Sequence, residues 1–155
     1  MAKQKKSALA KATDLLANME QSSAVLRKKL LARKYDAAEV DAALEKLKQY
    51  NYLDDAEACK RQFEILYSEG KLGMRQIVVK LIQRGFDKDF IDSLIPDDAD
   101  AHDKTVAAQV LERKFARGKV DRAKAWQFLA ARGFDGEIIS AVLDDFTEPR
   151  LKPLN

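Results

Sequence analysis

The chain is poor in the residues that build stapled or metal-held folds. It has one cysteine, Cys59, and one histidine, His102, among 155 residues. A single thiol excludes an internal disulfide framework and any multi-cysteine zinc site, and a single imidazole excludes paired-histidine metal motifs. Gly (6) and Pro (3) are scarce, whereas hairpin-rich β folds need many turn residues. No apolar run approaches the ~20 residues of a membrane-spanning helix. The start, Met1 to Lys6, carries charge without an apolar segment of signal-peptide length behind it. What is present is 46% hydrophobic and 34% charged residues. That is too apolar for a disordered chain and too charged for a membrane protein. The expectation is a soluble, cytoplasmic, all-α monomer whose length suits about one ordinary domain of ~100–200 residues.

The formal net charge of +3 hides an uneven spread. Residues 1–34 hold nine Lys/Arg against two acids, +7; residues 35–100 hold nine against fifteen, −6; residues 101–155 hold ten against eight, +2. Basic ends around an acidic middle fit either solvated helix faces or contact with an anionic partner.

Three segments align without gaps: Ser23–Leu44, Met74–Ile95 and Arg122–Leu143, at offsets of 51 and 48 residues. Leu30, Leu81 and Leu129 correspond, as do Arg33, Arg84 and Arg132. Tyr35, Phe86 and Phe134 supply an aromatic each time, followed by Asp36, Asp87 and Asp135. Val40, Ile91 and Ile139 are all β-branched. Each unit reads as helix, tight turn, helix. Gly85 and Gly133 stand where a helix ends in the left-handed conformation, which glycine adopts cheaply. Lys34 takes that place in the first unit, at a cost of about 1 kcal/mol if the geometry is kept. The Asp after the aromatic reads as an N-cap, and Asp36-Ala-Ala-Glu39 as a full capping box. A further helix precedes each pair: Ser7–Glu20, one opening at Asp54-Asp55-Ala-Glu57, and one from Asp100 or His102 to about Phe115. The expected architecture is three tandem three-helix modules, at 1–53, 54–98 and 99–155, forming an elongated, curved body.

Catalytic signatures are thin. Gly70-Lys71-Leu72-Gly73 is too short for a phosphate loop and reads as a helix-joining turn. Counted from Asp98, a calcium loop fails at its sixth position, Asp103 rather than Gly, and its twelfth, Gln109 rather than Glu, so Pro96–Asp103 reads as a solvated linker of capping acids. His102 reads as an exposed polar residue there, and Cys59 as a small core hydrophobe. No acid, base and nucleophile converge, which argues against an enzyme and calls for no cofactor.

The basic residues remain. Arg27, Lys28, Lys29, Arg33 and Lys34 crowd one helix and its end. Arg113, Lys114, Arg117, Lys119, Arg122 and Lys124 surround the turn into another, and Arg84 and Arg132 recur at the end of the repeated helix. Such groups pair with phosphates or with a partner's carboxylates. Trp126 falls at a variable repeat position. It reads either as packing between modules or as a half-exposed interface anchor.

Tyr52-Leu-Asp-Asp55, Gly70-Lys-Leu-Gly73 followed by Ile77 and Leu81, and Arg84-Gly-Phe86 resemble the central block of the RecX family of regulatory proteins. Arg113-Lys-Phe115, Lys124, Phe128-Leu129 and Arg132-Gly-Phe134 resemble that family's last module. The likeness spans residues 7–146. Asn51 stands where the family usually has Gly, Glu57-Ala58-Cys59 where an Ala/Phe pair is usual, and Lys34 where a helix-ending Gly is usual. The resemblance implies a protein of DNA recombination, repair and the SOS response. It would bind the RecA recombinase filament on single-stranded DNA and inhibit its ATPase, strand-exchange and co-protease activities. Direct binding of nucleic acid is the alternative. The acids Asp87, Asp89 and Asp92 on the second module argue against a repeated phosphate contact.

Overall fold

The computed structural model describes the backbone of residues 4–117 and 120–151, with side chains as far as Phe146. Among the described residues the chain forms nine α-helices and no strand. They are α1 (Ala8–Asn18), α2 (Ser23–Ala32), α3 (Ala37–Gln49), α4 (Asp55–Glu69), α5 (Met74–Gln83), α6 (Lys88–Leu94), α7 (Ala99–Lys114), α8 (Arg122–Ala131) and α9 (Gly136–Leu151). Packing is local: α1, α2 and α3 close on one another, as do α4, α5 and α6, and α7, α8 and α9. Each triplet has its own core. Leu26, Leu30, Val40 and Leu44 fill the first. Cys59, Phe63, Ile77, Leu81 and Ile91 fill the second, and Val106, Leu111, Leu129, Ile139 and Leu143 the third. The repeat positions Leu30, Leu81 and Leu129 are fully buried, as their helical spacing requires. Ala99 opens α7 but packs into the second core, so the first turn of α7 grips the preceding module. The accessible surface, 10392 Å², exceeds the roughly 7,900 Å² of a compact monomer of this mass. Three small cores strung in order produce that excess, and the body is elongated.

Helix starts follow the expected chemistry in part. Asp87 Oδ2 accepts from Phe90 N at 3.0 Å and Asp54 Oδ1 from Glu57 N at 3.1 Å. The capping box at Asp36 does not close. Asp36 makes no side-chain cap bond, and Glu39 Oε1 instead accepts from Ala8 N at 2.9 Å. Glu39 therefore caps α1, a neighbouring helix, because the first turn of α3 lies against the first turn of α1. The left-handed turn positions are as expected: Gly85 (φ 86°), Gly133 (φ 87°), and Lys34 (φ 66°) in the same geometry. Asn51 is also left-handed, at φ 59°, a conformation that Asn tolerates better than most residues.

The two joints between modules bond at equivalent repeat positions. At the first joint Ser22 Oγ donates to the Arg84 carbonyl at 2.6 Å, and Asp55 accepts from Ser23 N at 2.8 Å. At the second joint Gly73 N donates to the Arg132 carbonyl at 2.8 Å, and Asp103 accepts from Met74 N at 2.9 Å. Each module thus offers the start of its second helix to the end of the next module's second helix. The carboxylate on the next module's first helix then caps that start from outside. The helix-ending glycine is needed because the previous module presses on it. A Cβ on Gly85 would lie 2.5 Å from Ser22 Oγ, and one on Gly133 would strike Gln76. In the first module Lys5 Nζ donates to the Arg33 carbonyl at 2.8 Å, in the place that Ser22 and Gly73 take in the later units.

These joints correct two expectations. Residues 96–103 are not a wholly solvated linker, since α7 begins at Ala99 and Asp103 is 3% exposed. His102 is not an exposed polar residue: it is half-buried and stacks on Tyr67, with ring centroids 3.7 Å apart.

Candidate functional site

The second joint gathers basic side chains into a cleft. Arg113 and Lys114 lie in the last turn of α7, where the helix dipole favours cations. Phe128 projects from α8, and Arg132 is the C-cap of that helix. Lys71 comes from the turn between α4 and α5. With Val110 these residues line a cleft of about 300 Å³. Its floor is aromatic: Phe128 meets Phe115 edge-on, with centroids 5.9 Å apart. The Arg132 guanidinium lies 4.5 Å from the Phe128 ring centre, and Lys114 Nζ lies 5.9 Å from it. Arg132 Nη1 also reaches the Lys71 carbonyl at 3.5 Å, tying the two sides together.

Lys71, Arg113 and Lys114 are exposed, while Phe128 and Arg132 are half-buried. Among the described residues, no acid lines the cleft. Four cations around an apolar ring, with the guanidinium plane already held, have the charge and donor geometry that suits oxyanions, either carboxylate or phosphate.

The structure brings together Arg113, Lys114 and Arg132 of the sequence candidates. Lys71 escaped sequence reasoning because its loop reads as an ordinary turn. The signal that could have found it is the repeat itself, which sets Gly73 equivalent to the N-cap Ser22 and so places this turn at a module edge. The other candidates are scattered. Consecutive helical residues step ~100° around the axis, so Arg27, Lys28 and Lys29 cannot share one face of α2. Arg27 pairs with Asp41 on α3 at 2.8 Å, and that hydrogen bond holds the Asp41 carboxyl below its usual value. Arg33 turns its guanidinium back to the Lys29 carbonyl, 3.2 Å away. Arg122 pairs with Asp144 at 2.8 Å. Arg117 and Lys124 are exposed outside the cleft lining, and Lys119 lies outside the described residues.

Arg84 belongs to the first joint, where its Nη1 donates to Gln62 Oε1 at 3.0 Å. Trp126 is 38% exposed and lies over Gly136, at the start of α9 in its own module. Cys59 is fully buried in the second core, and burial pushes its thiol up. Among the described residues, no helix is long and apolar enough to cross a membrane.

Residues 103–143, which carry most of this cleft, match the RecX third three-helix domain. A regulatory protein RecX of Chromobacterium violaceum is 33% identical over 157 residues, covering 96% of this chain and 99% of that one. The chain belongs to the RecX family. A second RecX regulatory protein, from Thermus thermophilus, is 36% identical over 127 residues, covering 82% of this chain and 83% of its own length. The helical repeat is shared with solved RecX structures. The crystal structure of RecX from Lactobacillus salivarius superposes with a TM-score of 0.73 at 15% identity, covering 89% of this chain and 93% of that one. Another RecX crystal structure gives 0.74 at 21% identity, covering 88% and 71%. These two neighbours share the fold.

Proposed function

We propose that this RecX-family chain binds the RecA recombinase filament on single-stranded DNA and restrains its ATP hydrolysis, strand exchange and co-protease activity. The observation that carries this reading is the convergence of Lys71, Arg113, Lys114 and Arg132 on Phe128 at the second joint. An elongated body of linked modules can touch neighbouring filament subunits at once, so that weak contacts act together. The chain acts by occupancy and by preferring one state of the filament, with no bond made or broken. The Phe128 face is already covered by Arg132, which disfavours base stacking on the ring and favours an oxyanion as the bound group.

The test measures ATP hydrolysis by the recombinase on single-stranded DNA at about 0.15 M salt, where charges further apart than ~8 Å are screened. Wild type is compared with the triple variant Lys71→Glu, Arg113→Glu, Lys114→Glu and with a control reversal at the exposed Lys46. Loss of inhibition in the triple variant alone supports the reading. Inhibition equal to wild type refutes it. If wild type binds bare DNA as tightly as it binds the filament, the direct nucleic-acid alternative holds instead.

A further inference from the structure

The cations of the cleft come from two modules, each with its own main core, bridged by Ala99 in the first turn of α7. Lys71 stands two residues before Gly73, and Arg132 one residue before Gly133. The backbone bonds that join the modules therefore lie at the roots of the cations on both sides. Gly73 and Gly133 are in direct backbone contact, since a Cβ on Gly73 would strike the Gly133 carbonyl. The N-cap of α5 is Gly73, which has no side chain to cap with. Asp103 of the third module does that work: its Oδ2 accepts from Met74 N at 2.9 Å, in a site 3% exposed.

The two joints differ in the donor to the arginine carbonyl, a Ser22 hydroxyl at the first and the Gly73 backbone N–H at the second, and in how fully the capping carboxylate is bonded. At the first, Asp55 receives both the backbone N–H and the hydroxyl of Ser23. At the second, Met74 has no hydroxyl to offer. Asp103 Oδ1 is left buried without a hydrogen bond among the described residues, 4.0 Å from the equally unbonded His102 Nδ1. The capping carboxylate beside the cleft is thus the less fully bonded of the two.

We infer that Asp103 and the Gly73–Gly133 contact are positioning residues. They clasp the second module to the third and hold Lys71 opposite Arg113, Lys114 and Arg132. This rests on the cleft being the contact surface proposed above. Each module keeps its own core, so opening the clasp would separate the cations without unfolding the helices.

The experiment compares Asp103→Ala, Asp103→Asn and Gly73→Ala. The Asn amide oxygen can still accept from Met74 N, whereas Ala cannot, and a Cβ at 73 forces the two glycines apart. Spin labels at Glu64→Cys and Glu137→Cys, in a Cys59→Ala background, report the distance across the second joint by pulsed electron resonance. A Glu45→Cys and Glu64→Cys pair reports the first joint. The expected result is a shifted or broadened second-joint distance in Asp103→Ala and Gly73→Ala, with helicity and the first-joint distance kept. Inhibition of the recombinase should weaken by about tenfold in both, equivalent to ~1.4 kcal/mol. Asp103→Asn should stay near wild type in both readouts. Unchanged distances in Asp103→Ala, or Asp103→Asn behaving as Asp103→Ala does, would overturn the clasp. Altered distances with full inhibition would overturn its link to the cleft. If wild type fails to inhibit, the functional reading falls while the distances still judge the clasp.

Discussion

Lys34, Gly85 and Gly133 share a left-handed backbone, yet only the two glycines are pressed by a preceding module. Lys34 holds the left-handed backbone with a side chain in place, and so bears the conformational cost that glycine avoids. Lys34→Gly should therefore raise stability by up to about 1 kcal/mol, read from the urea midpoint. Gly85→Ala meets both the left-handed backbone and Ser22 Oγ, so it should lower the midpoint by more than Lys34→Gly raises it. Equal and small shifts would mean that the first joint yields freely. Asp103 carries a second prediction at this scale. Burial pushes its carboxyl up, against the pull of the Met74 N–H and of His102, and Asp100 adds to the rise. A carboxyl raised in the folded state contributes stability that is whole below its ordinary value of about 3.9 and is lost as pH rises through the folded value. The stability of wild type relative to Asp103→Asn should fall as pH climbs from about 4 into the mildly acidic range. Parallel pH profiles would show that Asp103 titrates as it does in the unfolded chain.

At the scale of the element, α2, α5 and α8 are one helix written three times, and each buries its repeat leucine fully. Leu81→Ala should cost about 2–5 kcal/mol through the cavity it leaves in the second core. Lys48→Ala, on the exposed side of α3, should stay within about 0.5 kcal/mol. Equal denaturant midpoints would overturn the core assignment of α5. The helix starts divide differently. Asp87 and Asp121 cap their own helices; α1 has its own Ser7 cap and takes the Glu39 carboxylate as well, while α5, with Gly73 at its N-cap, takes the carboxylate of Asp103. Glu39→Ala should thus cost about 1 kcal/mol, the usual worth of a cap, and Asp36→Ala less, in the same denaturant titration.

At the scale of the whole molecule, the uneven charge resolves into one concentrated site and several neutralised ones. Arg27 and Arg122 are held by Asp41 and Asp144 on neighbouring helices. Both pairs are solvent-exposed and contribute little to stability, but they reduce the charge available to a partner. Reversal of Lys71, Arg113 and Lys114 should therefore weaken recombinase inhibition more than reversal of Arg27, Lys28 and Arg33. Wild-type inhibition should also decline as salt is raised, since exposed ion contacts are screened. Stronger loss from the α2 reversal, measured as the half-inhibitory concentration, would move the contact to the first module.

The helices, their triplication and the buried leucines were legible in the chain because helical periodicity and a repeat are local patterns of residue type. The glycine turns, the left-handed Lys34 and the burial of Cys59 were legible on the same ground. The repeat's basic residues were visible too, but not their grouping. Which cations stay free depends on acids such as Asp41 and Asp144 that arrive from another helix. The role of Lys71 depends on a joint that brings two separate cores together. Asp103 looked like a linker acid because its partner, the Met74 N–H, is a backbone group that no side-chain pattern announces. Caps exchanged between helices and cations assembled across modules are set by distances in space between residues far apart in the chain. Those distances were decided by tertiary packing at the two joints.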